Sequence, residues 1–213
     1  DEQSSTHRPD PGNAGVGSNI KILSPPVCFS QIRRVFIMEN KFSTRMMAEI
    51  GVAVALAVVL NFLKLWRMPQ GGSVSLEMLP ILVIAFRWGL GAGMFSGLAY
   101  GLLQLMFGAY IIHPIQLIMD YPLPYMVLGA AGIFKIRKED IIQPLRMFWA
   151  VLVASALRLI VHILSGVIFF GSYAPEGQNV WAYSTIYNAS FLIPTTIVTY
   201  IVLLIVMKAL ENK

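Results

Sequence analysis

Polar and aromatic side chains are concentrated in one stretch, from His162 to Asn188, which joins two long apolar runs of the chain. The stretch contains a histidine, paired phenylalanines, a tryptophan and several tyrosines, and the connection between the runs has no lysine or arginine. Polar groups at membrane depth are energetically costly, so they are expected to serve a function. Such groups can hydrogen-bond to a ligand and stack on its rings, and we expect this stretch to carry the protein's function.

A second unusual feature is Asp120, which is followed by two prolines inside an apolar run. Proline removes a backbone donor and disturbs a helix, and such interruptions are tolerated in a membrane where they are buried in protein or line a cavity. Two interpretations of Asp120 stay open. Either the acid is neutralised by an intramembrane base such as Arg158, or it is the counter-charge for a cationic ligand.

Helical spacing groups several of these side chains. Arg158 and His162 lie four residues apart, on one helical face. Phe169 follows on that face, and Phe170 is turned aside by roughly 80° at 3.6 residues per turn. His162 is then either a packing residue or a ligand contact.

The last apolar run begins with a second aromatic group. Trp181 and Tyr183 lie at its start, where aromatic residues commonly anchor a helix at the membrane surface; contact with a ligand is the alternative. Asn188 lies deeper in the run, where anchoring is a poor explanation. We therefore expect Asn188 to face a binding site.

The composition places these residues in a membrane protein. The chain has 213 residues, of which 56% are hydrophobic and 13% are charged, and its mean hydropathy is +0.67. Several apolar runs approach the roughly 20 residues that cross a bilayer as a helix, and no series of alternating strands predicts a barrel. The net charge of +5 comes from basic residues between the runs, which favours membrane orientation over nucleic-acid binding.

Six transmembrane helices are predicted, giving an all-α polytopic fold. The runs lie at about 45–63, from 74 to a glycine-rich turn at 87–93, and at 91–107, 115–134, 147–170 and 181–207. Residues 1–37 are rich in serine, proline and glycine, and we interpret them as a disordered leader, either an upstream extension or a remnant of cloning. Residues 38–213 form the membrane domain.

Six spans place both termini on one side of the membrane. The positive-inside rule makes that side cytoplasmic, because most basic residues between the runs fall there: Lys41, Arg45, those of 135–146, Lys208 and Lys213. Lys64 and Arg67 fall on the opposite side and do not fit this orientation. The turn at 110–113 and the loop at 171–180 are then extracellular, and we expect that loop to act as a lid.

Small residues recur four apart in the first run, as Gly51 with Ala55 and as Ala53 with Ala57. This spacing lets a second helix approach closely in lipid. The pairs serve either packing within the chain or docking to a separate membrane subunit. The single cysteine, Cys28, excludes an intrachain disulfide and a metal site built on several thiolates, and we predict no metal and no cofactor.

From about residue 41 to 208 the chain resembles the thiamine-specific substrate-binding (S) components of energy-coupling-factor (ECF) vitamin transporters. The resemblance rests on Ala48–Gly51, Glu77–Leu82, Arg87–Gly93, Tyr110, Asp120-Tyr121, Leu128–Gly132, His162–Gly166, Ile168–Phe170, Tyr173-Ala174 and Ala182–Ser184 leading to Asn188. Asp120 stands where the family typically has Glu, and Phe170 where it typically has Trp. A Trp of the family's loop before Glu77 is absent, with Ser73 near its place.

The resemblance implies six helices with thiamine bound near the extracellular face. It implies that eight residues line the site: Glu77, Tyr110, Asp120, Tyr121, His162, Phe170, Tyr183 and Asn188. It also implies a transmembrane coupling subunit and two cytoplasmic ATPases as partners in a bacterial cell membrane, with Gly51 and Ala55 on the docking face. The chain has no ATP-binding motif of its own, so we expect a transporter subunit rather than an enzyme.

Three alternatives stay open. In the first, the ligand is another small vitamin or a thiamine precursor such as hydroxymethylpyrimidine. In the second, the protein is a stand-alone proton-coupled carrier with Asp120 and His162 as the relay. The third is an intramembrane enzyme using Asp120, His162 and Arg158, which is disfavoured because no nucleophile lies in a recognisable motif.

Overall fold

The computed structural model of the chain describes residues 43–68, 72–135 and 143–211. The predicted leader, 1–37, lies outside this range. Seven α-helices were found in the described ranges: α1 (Thr44–Phe62), α2 (Met78–Trp88), α3 (Leu90–Gln104), α4 (Pro114–Asp120), α5 (Pro122–Met126), α6 (Pro144–Phe169) and α7 (Val180–Glu211). Two 3₁₀ helices, at Val127–Phe134 and Gly171–Tyr173, and a two-stranded antiparallel hairpin of β1 (Trp66–Arg67) and β2 (Ser73–Val74) complete the described elements.

The prediction of an all-α, multi-pass membrane fold with six helices is confirmed, counting α4, α5 and the 3₁₀ helix that follows as one interrupted span. In the described ranges, four segments are long and apolar enough to cross a bilayer: Thr44–Phe62, Pro114–Phe134, Pro144–Phe169 and Val180–Ala209. Helices α2 and α3 are shorter, at 11 and 15 residues. They are joined at Gly89, whose φ of 97° suits glycine and turns the chain sharply.

The interrupted span is packed against α3 through backbone contacts. Pro122 occupies the first turn of α5, where a missing N–H costs no helical hydrogen bond. A Cβ at Gly97 of α3 would overlap the Tyr125 carbonyl group, and one at Gly101 would lie 2.5 Å from the Cα of Pro122. Glycines four apart on α3 therefore let the broken segment approach closely, as small residues do between membrane helices.

The two small-residue pairs of α1 face in different directions. Ala53 and Ala57 are buried in the main core, which is formed largely by α1, α2, α3, α6 and the 3₁₀ helix at Val127–Phe134. Gly51 and Ala55 are exposed, and nothing lies within 4 Å of a Cβ built on Gly51. One pair therefore packs within the chain, and the other lies on its outer surface.

Candidate functional site

A cavity of about 280 Å³ lies among the helix ends and the connecting loops. It is close to the lower limit of roughly 300 Å³ for small-molecule sites. The structure brings to it all eight residues predicted to line the site: Glu77, Tyr110, Asp120, Tyr121, His162, Phe170, Tyr183 and Asn188. Carboxylates, aromatic rings and amides therefore converge on one space.

Asp120, at the end of α4, presents a carboxylate that is only partly satisfied by protein. Its Oδ2 accepts a hydrogen bond from Gln116 Nε2 at 2.5 Å. Its Oδ1 lies 3.9 Å from His162 Nδ1, which is beyond hydrogen-bond distance. An ionised carboxylate has about four acceptor positions, and the described residues fill one of those of Asp120, which leaves the others for a ligand.

The His162 ring lies between the Asp120 carboxylate and the buried base Arg158. Arg158 Nε lies 3.5 Å from His162 Nε2, and this contact makes Nε2 the acceptor. In its neutral form the ring carries its proton on Nδ1, the nitrogen that faces Asp120. The imidazole is therefore oriented with its donor toward the carboxylate and beside the cavity.

Glu77 lies at the centre of a satisfied polar network. Its Oε2 accepts from Tyr100 Oη at 2.8 Å and from Gln104 Nε2 at 3.3 Å. Its Oε1 accepts from Tyr125 Oη and from Arg158 Nη2, the latter at 3.3 Å. Four donors fill the acceptor positions of this carboxylate, although it too lines the cavity.

The contacts of Arg158 show whether this base neutralises Asp120. The Arg158 side chain is 5% exposed, forms an ion pair with Glu77, and lies with its guanidinium carbon 4.2 Å from the centroid of the Tyr125 ring. In the described ranges, no ion pair joins Arg158 to Asp120. Arg158 is therefore not the base that neutralises Asp120, and the nearest basic side chain recorded for Asp120 in the described ranges is His162, at 3.9 Å.

Of the two phenylalanines at the end of α6, Phe170 lies beside the cavity and Phe169 does not. Helix α6 ends at Phe169, and Phe170 adopts φ −119° and ψ 14°, outside the helical region. This change of direction places Phe170 beside the cavity. Phe169 stacks instead on the ring of His113, with 5.3 Å between the centroids. Phe169 is the last residue of α6 and therefore keeps the helical face that spacing predicted, but it is not among the residues that line the cavity.

Two tyrosines join the loops above the cavity. The backbone N–H of Tyr110 donates to the Tyr121 hydroxyl at 2.7 Å. The hydroxyls of Tyr110 and Tyr173 lie 3.3 Å apart and share a hydrogen bond between the 108–113 turn and the loop after α6. This bond raises the pKa of the Tyr173 hydroxyl above its usual value because it stabilises the protonated group.

The two aromatic residues at the start of α7 lie in different surroundings. Tyr183 lies beside the cavity, with its ring 6.1 Å from that of Tyr187. Trp181 is 54% exposed and is not among the residues that line the cavity. The anchoring role considered for both residues thus suits Trp181 and not Tyr183.

Several lining residues were not predicted from the sequence. They include Asn61, Lys64, Gln104, Gln116, Tyr125, Ser184, Tyr187 and Phe191. The two glutamines carried a usable signal, because an amide inside an apolar helix needs a partner. Within the described ranges, no group of three or more His, Cys, Asp and Glu residues could hold a metal ion. The arrangement suits reversible binding by charge, stacking and hydrogen bonds.

Apolar helices of membrane length around a polar and aromatic cavity define a membrane-embedded small-molecule-binding protein of the transporter class. Within that class, the chain belongs to the thiamine transporter protein family (Thia_YuaJ), whose sequence profile matches residues 47–213. The family resemblance inferred from the sequence motifs is thereby confirmed.

Two curated relatives and one solved structure agree with this assignment. The chain is 41% identical over 165 residues to the thiamine transporter ThiT of Bacillus subtilis (strain 168), covering 73% of this chain and 86% of the relative. It is 27% identical over 165 residues to ThiT of Lacticaseibacillus paracasei, covering 72% and 82%. A solved structure of ThiT from Listeria monocytogenes superposes with a TM-score of 0.71 at 30% identity, covering 77% of this chain and 93% of that one.

Proposed function

We propose that this protein binds thiamine in the cavity and is the substrate-binding S component of an ECF-type uptake transporter. The observation that carries the proposal is the open carboxylate of Asp120, which lies among the lining aromatic residues Tyr110, Tyr121 and Phe170. Thiamine has a permanently charged thiazolium ring, an aminopyrimidine ring and a hydroxyethyl tail. A partly buried carboxylate beside aromatic faces suits a flat organic cation.

The charge balance within the cavity supports this choice of ligand. The positive charge of Arg158 is matched by Glu77, whereas in the part of the chain that the structure describes Asp120 accepts a hydrogen bond from Gln116 and lies 3.9 Å from His162, with no Lys or Arg paired to it. A cation placed at Asp120 would complete the pairing that the protein leaves open. The eight lining residues named above are the proposed contacts, with stacking on aromatic faces contributing roughly 0.5–2 kcal/mol for each cation–π contact.

Ligand titration of the purified protein in detergent tests the proposal. Intrinsic tryptophan fluorescence would be followed while thiamine, hydroxymethylpyrimidine, the isolated thiazolium fragment or riboflavin is added. We expect thiamine to bind far more tightly than either fragment, because only the whole molecule fills both the charged and the amide sides of the cavity. Equal or tighter binding of hydroxymethylpyrimidine would replace thiamine by its precursor as the ligand.

We further propose that transport requires a transmembrane coupling subunit and two cytoplasmic ATPases. In this arrangement the cell membrane holds the protein with both termini cytoplasmic, and thiamine enters from outside. ATP hydrolysis then belongs to the partners and not to this chain. Uptake that continues on a proton gradient without the ATPases would favour a stand-alone carrier instead.

The exposed pair on α1 is the proposed docking face for the coupling subunit. Gly51 and Ala55 leave a flat surface on α1, whereas Ala53 and Ala57 are already covered by the core. We expect Gly51→Trp or Ala55→Trp to abolish uptake by the reconstituted transporter while thiamine binding by the isolated protein is unchanged. Equal loss of both activities would contradict this division of roles.

A further inference from the structure

The side-chain amide of Asn188 is held in one orientation by the oxygens around it. Its Nδ2 donates to the Ser184 carbonyl oxygen at 2.9 Å and lies 3.4 Å from the His162 carbonyl oxygen. Carbonyl oxygens only accept hydrogen bonds. An Asn188 amide turned the other way would place Oδ1 against these two oxygens and lose both bonds.

The Ser184 hydroxyl adds a third acceptor to the same side. Ser184 Oγ donates its single proton to the Ile163 carbonyl oxygen at 2.9 Å. It therefore offers only lone pairs to Asn188 Nδ2, which lies 3.3 Å away. Ser184 is 2% exposed, so water does not compete freely for this position.

The missing side chain of Gly166 makes this arrangement possible. A Cβ on Gly166 would overlap Ser184 Oγ and would lie 3.3 Å from Asn188 Nδ2. Since Ser184 is fixed on α7 and Ile163 on α6, their hydrogen bond needs the close approach of the two helices that Gly166 permits. Gly166 and Ser184 thus act together on one amide.

The oxygen of the same amide, Asn188 Oδ1, is the atom that matters for ligand binding. Asn188 lines the cavity, and no group in the described part of the chain donates a hydrogen bond to its Oδ1. With Nδ2 committed to α6 and α7, Oδ1 is the atom of the Asn188 amide left for a ligand. The site is therefore offered an acceptor at this position and not a donor.

We propose that Gly166 and Ser184 are positioning residues that make Asn188 select a ring carrying a primary amine over the same ring carrying an oxo group. This inference rests on the proposed function, in which the amine is that of the aminopyrimidine ring of thiamine. An oxo group at the same place would set two acceptors against each other. A buried polar group left unpaired by the wrong ligand is a strong source of discrimination.

Binding of two ligands by four proteins tests the proposal. The ligands are thiamine and oxythiamine, in which an oxo group replaces the exocyclic amine. We expect the unmodified protein to prefer thiamine by roughly tenfold or more. Ser184→Ala should reduce this preference by about threefold or more because one acceptor that orients the amide is lost, and Gly166→Ala should reduce it further.

Ser190→Ala is the matched control. It removes a hydroxyl from the same helix that donates to the Tyr187 carbonyl oxygen at 2.7 Å and is not among the acceptors of Asn188 Nδ2 in the described ranges. We expect the thiamine preference of Ser190→Ala to equal that of the unmodified protein. Thermal unfolding of each variant separates a folding defect from a change in selectivity, and Ser184→Ala alone decides the matter if Gly166→Ala does not fold.

The outcomes separate the two proposals. If the unmodified protein and Ser184→Ala bind thiamine with the same preference over oxythiamine, the positioning role is overturned and the proposed function stands. If the unmodified protein does not bind thiamine at all, both proposals are overturned. A reduced preference in Ser184→Ala with an unchanged one in Ser190→Ala supports the positioning role.

Discussion

Two carboxylates, those of Glu77 and Asp120, border the same cavity in different surroundings. The Glu77 side chain is 4% exposed, receives four donors and is paired with a buried guanidinium. The Asp120 side chain is 18% exposed, receives one hydrogen bond from the described residues and lies 3.9 Å from the His162 imidazole. Among the described residues, a guanidinium compensates the charge of Glu77, and no Lys or Arg forms an ion pair with Asp120.

The comparison shows that an acid in a membrane helix is not by itself a cation site. A buried charge is costly unless it is paired and hydrogen-bonded, and the network around Glu77 meets that requirement from within. The charge of Asp120 has no such network among the described residues, and a bound cation would supply the missing partner. We therefore expect substitutions at the Glu77 network to change stability most, and substitutions at Asp120 to change ligand affinity most.

Removing the partner of Glu77 should have the largest effect. We expect Arg158→Met to lower the free energy of unfolding by about 3–5 kcal/mol, because it leaves a buried carboxylate without its counter-charge. Thermal unfolding in detergent measures the change. The double variant Glu77→Leu and Arg158→Met should recover most of the loss, since neither charge then remains; failure to recover would mean that the pair does not act as a unit.

Neutralising Asp120 should affect binding and not folding. Asp120→Asn keeps an acceptor for Gln116 and removes only the charge, and we expect it to weaken thiamine binding by about 2 kcal/mol or more, roughly 30-fold. The control Asp120→Glu retains the charge and should bind more tightly than Asp120→Asn. Titration calorimetry on the three proteins would refute the role of the charge if their affinities were equal.

The two phenylalanines at the end of α6 allow a second comparison, between a ring beside the cavity and a ring outside it. We expect Phe170→Ala to weaken thiamine binding by roughly 0.5–2 kcal/mol, about 2- to 30-fold, through loss of a stacking surface. Phe169→Ala removes a ring that stacks on His113 outside the cavity, and it should change the affinity less. A larger effect of Phe169→Ala in fluorescence titration would reverse the roles assigned to these residues.

The smallest effect is expected at the loops above the cavity. Tyr173→Phe removes the hydrogen bond to Tyr110, and we expect it to raise the thiamine dissociation rate roughly two- to fivefold. Stopped-flow displacement measures this rate. Tyr200→Phe is the control, because its hydroxyl bonds to the Pro144 carbonyl oxygen, and neither residue lines the cavity; a similar acceleration in both variants would argue against a role for the loop contact.

The pairing of polar groups is where prediction from the sequence was limited. The prediction that Arg158 and His162 lie on one helical face was correct, because Arg158 Nε lies 3.5 Å from His162 Nε2. The partner of Arg158 was not foreseen, because Glu77 is 81 positions away along the chain. Phe170 was placed at the site through the family resemblance, since helical spacing alone favoured Phe169.

By itself, the sequence determined the membrane class and the six helical spans. Helix hydrogen bonds connect residues four apart, and apolar character adds along a run, so both properties are local and can be read in order. Only the tertiary structure decided which acid is paired with Arg158, which face of α1 is covered and which groups bind the Asn188 amide nitrogen. These outcomes depend on how far each helix is rotated and how closely it approaches its neighbours, and no local pattern of residues specifies that.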